Sequence, residues 1–138
     1  SGDYVDQQNS YVISRDGGHT FGPITSTEIQ GQTMTPISLG DDRLLVLYNK
    51  RHGEQEIRMC LVTWTDQIWT VHHESTMYNA ESFYKRDSTV ESGIDELDDF
   101  AFGYPTAIKL NDGTFLATHW CHEHGNCVIR WTRLKVIW

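Results

Sequence analysis

Positive charge, cysteine and long apolar runs are all scarce in this sequence, and each shortage excludes a class of protein. The chain has 11 Lys and Arg residues against 19 Asp and Glu residues, which gives a net charge of −8. A nucleic-acid partner is not expected, because binding to phosphates requires a basic surface. No apolar run approaches the roughly 18 residues of a membrane-spanning helix, so no membrane partner is expected either.

The cysteine content limits the covalent cross-links that the chain can form. The three cysteines, Cys60, Cys121 and Cys127, are too few for a disulfide scaffold and odd in number. Reduced thiols are favoured over the alternative, a disulfide between Cys121 and Cys127 across a hairpin. No signal-peptide h-region is recognisable. The cellular location stays open, although an extracellular or periplasmic one is slightly favoured.

Helical periodicity is also missing, whereas strand signals occur along most of the chain. The length suffices for one domain with a real core. Five Trp, six Tyr and five Phe suit packed sheets as well as surfaces that stack on sugars. Nine strands are predicted, over residues 11–14, 20–29, 34–39, 43–49, 56–65, 69–78, 101–110, 114–121 and 127–137.

An internal repeat organises these strands. Residues 35–58 and 104–130 each read as strand, hairpin, strand, polar loop and strand, with tight turns at 40–42 and 111–113. The first copy continues through 63–69 into a fourth strand. A repeated four-stranded antiparallel unit is typical of propeller blades, so the sequence predicts an all-β fold of about two to two and a half blades. Residues 1–138 are predicted to form a single domain. Its four segments are the outer strands (1–30), a blade (31–79), an acidic loop (80–100) and a last blade (101–138).

The turn at residues 14–21 carries the most specific pattern. Asp16 can accept hydrogen bonds from backbone N–H groups two residues on, and Phe21 can fold back as an apolar plug under the turn. The pattern Ser-x-Asp-x-Gly-x-Thr-Phe, from Ser14 through Asp16, Gly18 and Thr20 to Phe21, resembles the Asp box of the sialidase superfamily, also called the bacterial neuraminidase repeat. The resemblance implies a β-propeller in which this box joins two outer strands and has a structural role.

The remainder resembles only the C-terminal blades of sialidase-like propellers. Residues 103–105, 110–114 and 129–134 are similar to the closing blade, residues 36–51 to the blade before it, and residues 63–69 to a degenerate Asp box. Such propellers have about six blades. The resemblance therefore implies a piece of a longer propeller, or completion by a homo-oligomer in which a trimer is favoured.

The resemblance also implies the site residues. Tyr104 stands where the family's nucleophilic tyrosine precedes an inner strand, and a neighbouring glutamate must take its proton. Glu54 is the preferred base, although the spacing does not choose between it, Glu56 and Glu123. Arg51 is the preferred ligand for a sugar carboxylate, ahead of Arg58 and Arg86. The predicted catalytic residues are Tyr104, Glu54 and Arg51, and the predicted ligand-binding residues are Arg58, His52, Trp120, His122 and Glu123.

Two metal sites are weighed against simpler interpretations. Imidazole and thiolate groups cluster in the last blade, but their spacing fits no closed structural-zinc pattern. They are His119, Cys121, His122, His124 and Cys127. The acidic residues 91–99 suit calcium but are more often a solvated loop. No metal and no cofactor is therefore predicted. The implied function is a glycan-recognising propeller segment that is a glycoside hydrolase when complete; the alternative is a non-catalytic carbohydrate-binding or assembly module that keeps only the scaffold.

Overall fold

The computed structural model describes residues 7–80 and 102–138, and within them it is an all-β structure. Its nine strands confirm that the fold is all-β, as predicted. They are β1 (Gln8–Tyr11), β2 (Thr25–Gln30), β3 (Gln32–Gly40), β4 (Arg43–Lys50), β5 (Glu56–Trp64), β6 (Trp69–Asn79), β7 (Phe102–Lys109), β8 (Phe115–Glu123) and β9 (Asn126–Leu134). The described residues include no helix that could cross a bilayer.

The strands form three antiparallel sheets. We call β1–β2 the first sheet, β3–β4–β5–β6 the middle sheet and β7–β8–β9 the last sheet. Every strand of the middle and last sheets pairs with its neighbour in sequence, as the internal repeat predicts. The predicted first strand at 11–14 is displaced, because residues 12–15 already belong to the turn that follows β1. The predicted acidic loop, with Arg86 and the calcium alternative at 91–99, lies outside the described residues.

The middle sheet lies between the other two, and β4 is buried on both of its faces. Side chains alternate across a strand, so Leu45 and Leu47 point one way and Val46 and Tyr48 the other. The first pair packs in a core with Phe115 of the last sheet. The second pair packs in a core with Ile29 of the first sheet. The fold is therefore held together by contacts between stacked sheets.

Close connections fix how the sheets follow one another. Gly31 alone joins β2 to β3, and a Cβ atom there would lie 2.6 Å from the Tyr48 ring and 2.8 Å from the Asn49 carbonyl. Any other residue at position 31 would place its Cβ atom against the Tyr48 ring, so only glycine fits there. Between the middle and last sheets, the Thr35 hydroxyl donates to the Pro105 carbonyl at 2.7 Å.

All three cysteines are free thiols. Cys121 lies opposite Val128 and Cys127 lies opposite His122 in the β8–β9 ladder. Cys121 is buried and Cys127 is exposed, since the two side chains leave opposite faces of the sheet. The alternative of a Cys121–Cys127 disulfide is therefore wrong, and the favoured reduced thiols agree with the structure.

Candidate functional site

The Asp-box turn between β1 and β2 is held by its own side chains. The Ser14 hydroxyl accepts the Gly18 N–H at 2.8 Å, and the Asp16 carboxylate accepts the Thr20 N–H at 2.9 Å and the Thr20 hydroxyl at 2.6 Å. The Gly22 N–H closes the turn on the Ile13 carbonyl at 2.8 Å. The predicted turn is confirmed, although Asp16 accepts from the residue four positions on rather than two.

The apolar plug predicted at Phe21 is wrong. Its side chain is 63% exposed. The surface beside the turn is polar, because Arg15 forms an ion pair with Asp66 of the β5–β6 turn. A plug would need an apolar floor, and the hydrogen bonds of Ser14 and Asp16 hold the turn without one.

A second turn lies against the first. Residues 63–69, which the resemblance interprets as a degenerate Asp box, contain the β5–β6 turn, in which Thr65 Oγ1 accepts the Ile68 N–H at 3.1 Å. The Tyr11 hydroxyl donates to the Thr65 carbonyl at 2.7 Å, and the Thr25 hydroxyl donates to the Asp66 carbonyl at 3.2 Å. These contacts join the first and middle sheets, which is a structural role.

Removing the Asp16 carboxylate is expected to lower the melting temperature at neutral pH without changing ligand affinity. The hydrogen bonds from Thr20 and Ser14 lower the pKa of Asp16 to about 2. A depressed carboxyl pKa stabilises the fold above the ordinary value of 3.8 and ceases to do so as the pH falls through about 2. The melting difference between the wild type and Asp16→Asn should therefore shrink on acidification. Asp41→Asn, at an exposed position in another turn, is the control; a difference that persists at pH 2 would contradict the assignment.

The predicted site residues lie at the opposite end of the molecule from these turns. The Trp64 N–H bonds to the Asp42 carbonyl at 3.0 Å, which places the β3–β4 and β5–β6 turns at one end of the middle sheet. Glu56 pairs with Lys50 and with Asn79 at the other end. The Tyr78 hydroxyl, next to Asn79, lies 3.4 Å from Glu123 at the end of β8. The β4–β5 loop and the end of β8 therefore share the end where the resemblance expects chemistry.

Tyr104 is an exposed residue in an unusual backbone conformation. Its side chain is 68% exposed and its φ is 49°, in the left-handed region that non-glycine residues rarely adopt. The β7–β8 register shifts between Gly103 and Thr106, so the strand bulges there. Within 7–80 and 102–138, no hydrogen bond joins Tyr104 to Glu54, Glu56 or Glu123. The structure does not bring the predicted nucleophile and a predicted base together.

Trp120 and His122 lie beside Tyr104 on the same end of the last sheet. Trp120 pairs with Gly103, where a Cβ atom would approach the indole Nε1 to 2.8 Å. The indole therefore covers the backbone directly before Tyr104. The rings of Trp120 and His122 meet edge to face, with centroids 5.8 Å apart. We call Tyr104, Trp120 and His122 the aromatic surface.

Glu123 is bound to a residue that sequence reasoning missed. Arg130 donates to both of its carboxylate oxygens, at 2.9 Å for Nη2. The Tyr78 hydroxyl and the Cys121 thiol each lie 3.4 Å from Oε1. The hydrogen bonds from Arg130 lower the pKa of Glu123, so this carboxylate is a weak proton acceptor. Arg130 pairs with His119 and Glu123 pairs with Asn126, so Glu123 and Arg130 leave the same face of adjacent strands. The alternation of side chains along the β8–β9 hairpin was therefore the available signal.

Arg58 is also engaged. Its guanidinium lies 2.9 Å from Glu56 and 3.1 Å from Glu74, and Glu74 accepts the Tyr48 hydroxyl as well. Because Arg58 pairs with Tyr48, which packs on the first sheet, the cluster lies on the face of the middle sheet away from the last sheet. Two carboxylates offset its charge, so a sugar carboxylate would gain little from it.

The other predicted residues lie in the β4–β5 loop. Arg51 Nη1 donates to the Gln32 amide oxygen at 3.1 Å, His52 is half-buried and Glu54 is exposed. No contact joins these three to Tyr104 within 7–80 and 102–138. Of the predicted set, the structure groups Tyr104 with Trp120 and leaves the arginines apart.

His119 is buried in a place that the sequence did not indicate. Its ring stacks on Tyr78 with centroids 4.6 Å apart, and neither ring nitrogen has a hydrogen-bond partner in the described chain. Burial lowers the pKa of His119 to about 4, with Arg130 acting in the same direction and Glu123 against it. His119 and Cys121 point inward while His122 points outward, so the cluster weighed for zinc does not converge. No metal-binding group of three was found among the described residues.

Comparison with known proteins gives no further guide to this site. No protein family, no curated protein and no solved structure matches the chain. Its function must therefore be argued from the geometry of its own residues.

Proposed function

We propose that the chain is a segment of a sialidase-like β-propeller that recognises glycans through the aromatic surface of Tyr104, Trp120 and His122. The succession of sheets supports the scaffold. The last strand of each sheet leads to the first strand of the next sheet, as β2 does through Gly31, and successive sheets stack face to face, which is the arrangement expected of neighbouring blades. The Asp-box turn lies between the outer strands β1 and β2, where the resemblance expects it.

The observation that carries the glycan proposal is the exposure of Tyr104 beside Trp120. Large aromatic rings with a polar edge suit sites where one side of a ligand is apolar and the other is wet. A pyranose ring is such a ligand, because its C–H groups form an apolar face and its hydroxyl groups stay hydrated. The indole of Trp120 packs on the Gly103 backbone and its ring contacts that of His122, so these two rings are positioned by the chain itself.

Binding is favoured over hydrolysis. A tyrosine nucleophile needs an adjacent base, and in residues 7–80 and 102–138 Tyr104 has no carboxylate partner. Glu123, the nearest predicted base in sequence to Trp120, is held as an anion by Arg130. Hydrolysis by a completed propeller is the second candidate, because the position of Tyr104 at the start of β7 is the one that the resemblance assigns to the nucleophile.

Trp120→Ala is expected to weaken binding of sialyllactose about tenfold, which corresponds to about 1.4 kcal/mol. Tyr104→Phe keeps the ring and should leave the affinity nearly unchanged. Both are measured by NMR titration with sialyllactose and with lactose. Phe21→Ala, which removes an exposed ring at the opposite end, is the matched control.

Hydrolysis is tested separately with a fluorogenic sialoside. The binding proposal expects no fluorophore release from the wild type. Release that is lost in Tyr104→Phe would establish catalysis instead, because only the hydroxyl is removed.

In the binding experiment, an unchanged affinity of Trp120→Ala for sialyllactose would overturn the glycan proposal.

A further inference from the structure

The outer face of the last sheet, turned away from the middle sheet, exposes large apolar side chains. Ile108 is 60% exposed, Ile129 is 77% exposed and Trp131 is 68% exposed. Ile129 pairs with Trp120 and Trp131 pairs with Thr118, so these side chains share one face of β7–β9. The threonines Thr106 and Thr118 and the side chain of Arg133 lie between them on the same face. Several large apolar side chains exposed together on one sheet face mark an interaction surface.

The strand registers show which face of the middle sheet is equivalent to this outer face. We call three residues that pair side by side across neighbouring strands a row, and we align the two sheets on their first hairpins, β3–β4 and β7–β8. The row Ile108–Leu116–Arg133 is then equivalent to the row Ile37–Leu45–Leu61. The row Thr106–Thr118–Trp131 occupies the place of Thr35–Leu47–Met59 in the same way. In the middle sheet these rows form the core that the last sheet covers.

The covering surface has an equivalent too. The last sheet covers the middle sheet with Phe115 and Ala117. In the middle sheet, the row Ser38–Leu44–Val62 stands in the place of Lys109–Phe115–Leu134, and Pro36–Val46–Cys60 stands in the place of Ala107–Ala117–Thr132. The face of the middle sheet that points toward the first sheet is therefore equivalent to the face of the last sheet that packs on the middle sheet.

That repeated surface is partly covered: Val46, Cys60 and Val62 are buried in the core shared with Ile29 of the first sheet, whereas Pro36, Ser38 and Leu44 remain partly exposed. The first sheet has two strands, and between β1 and the middle sheet a groove of about 660 Å³ remains. Pro36, Ser38 and Leu44 line its floor. Residues 9–13 line its side consecutively, so the edge of β1 borders the groove along its length.

We propose that the apolar face of the last sheet, with Ile108, Ile129 and Trp131, docks into this groove of a second copy of the chain. This contact between two copies has the same geometry as the packing of the last sheet on the middle sheet within one chain. The two surfaces lie on opposite sides of the molecule, so the association is head to tail, and it forms a ring where the rotation between copies closes. Its argument uses only the strand registers and the exposed apolar side chains, so it does not depend on the glycan proposal. Trp120 and His122 lie on the same face of the last sheet as Ile129, at the end away from Ile108.

Light scattering of the wild-type chain at micromolar concentration should return a multiple of the chain mass of 15.9 kDa. Ile108→Glu and Ser38→Glu, one on each surface, should each reduce the mass to 15.9 kDa. Ile68→Glu is the matched control, because Ile68 is 62% exposed but lies in the β5–β6 turn. A monodisperse wild-type mass of 15.9 kDa would overturn the proposal, because the outer face of the last sheet would then not bind a second copy.

Mixing the two variants tests the head-to-tail geometry. Each retains the surface that the other has lost, so an equimolar mixture should form a dimer of twice 15.9 kDa and nothing larger. Both substitutions add a negative charge, so the altered surfaces cannot attract each other. Thermal melting against Ile68→Glu confirms that both variants are folded. A mixture of folded variants that stays monomeric while the wild type assembles would refute this interface.

Discussion

Replacing Leu47 with alanine is expected to lower the free energy of unfolding by about 2–5 kcal/mol. Leu47 is fully buried at the centre of β4 and packs against Phe115 and Ala117 across the gap between the middle and last sheets. The substitution removes apolar contacts and leaves a cavity, because two hydrogen-bonded sheets cannot close around it.

Urea unfolding followed by tryptophan fluorescence measures this loss. Domains of this size are stable by only about 5–15 kcal/mol, so the variant should unfold at a much lower urea concentration. Ile24→Ala, at an exposed position before β2, should change the free energy by less than about 0.5 kcal/mol. A loss below about 1 kcal/mol for Leu47→Ala would mean that the middle and last sheets are not packed as described.

Acidification is expected to destabilise the chain through His119. Its pKa falls from 6.5 to about 4 in the folded state because the ring is buried. A depressed histidine pKa means that the folded state binds fewer protons than the unfolded state, so stability is intact above pH 6.5 and falls as the pH is lowered toward 4. Between neutral pH and about pH 5 the expected loss is about 2 kcal/mol, at 1.36 kcal/mol for each pH unit below 6.5.

His119→Phe isolates this contribution. Phenylalanine keeps a ring against Tyr78 and takes up no proton, so the variant should lose about 2 kcal/mol less than the wild type over the same interval. Urea unfolding at each pH measures both. His119→Gln is a second test if the larger ring disturbs packing, and His122→Gln, at an exposed position, is the control. Equal losses in the wild type and in both His119 variants would exclude this role.

Local patterns in the sequence determined most strands and turns, whereas the predicted strands at 11–14 and 20–29 are β1 at Gln8–Tyr11 and β2 at Thr25–Gln30 in the structure. The turn residues at 40–42 and 111–113 predicted two hairpins that the structure contains, because the φ values that glycine and aspartate adopt there depend on neighbouring residues. The Asp-box hydrogen bonds were predictable for the same reason, since Ser14, Asp16 and Thr20 lie within six positions of one another. The internal repeat likewise predicted the order of strands in the middle and last sheets.

Only the tertiary structure decided which face each side chain occupies and what it meets there. The ion pair of Glu123 with Arg130, the engagement of Arg58 by Glu74 and the burial of His119 against Tyr78 join residues on different strands. Composition and spacing cannot specify these contacts, because shifting a strand by one residue turns every side chain to the opposite face. The prediction for Phe21 was wrong for another tertiary reason, because the ion pair of Arg15 with Asp66 makes the surface beside its turn polar. The exposed face of Ile108, Ile129 and Trp131 is likewise visible only once the sheets are stacked.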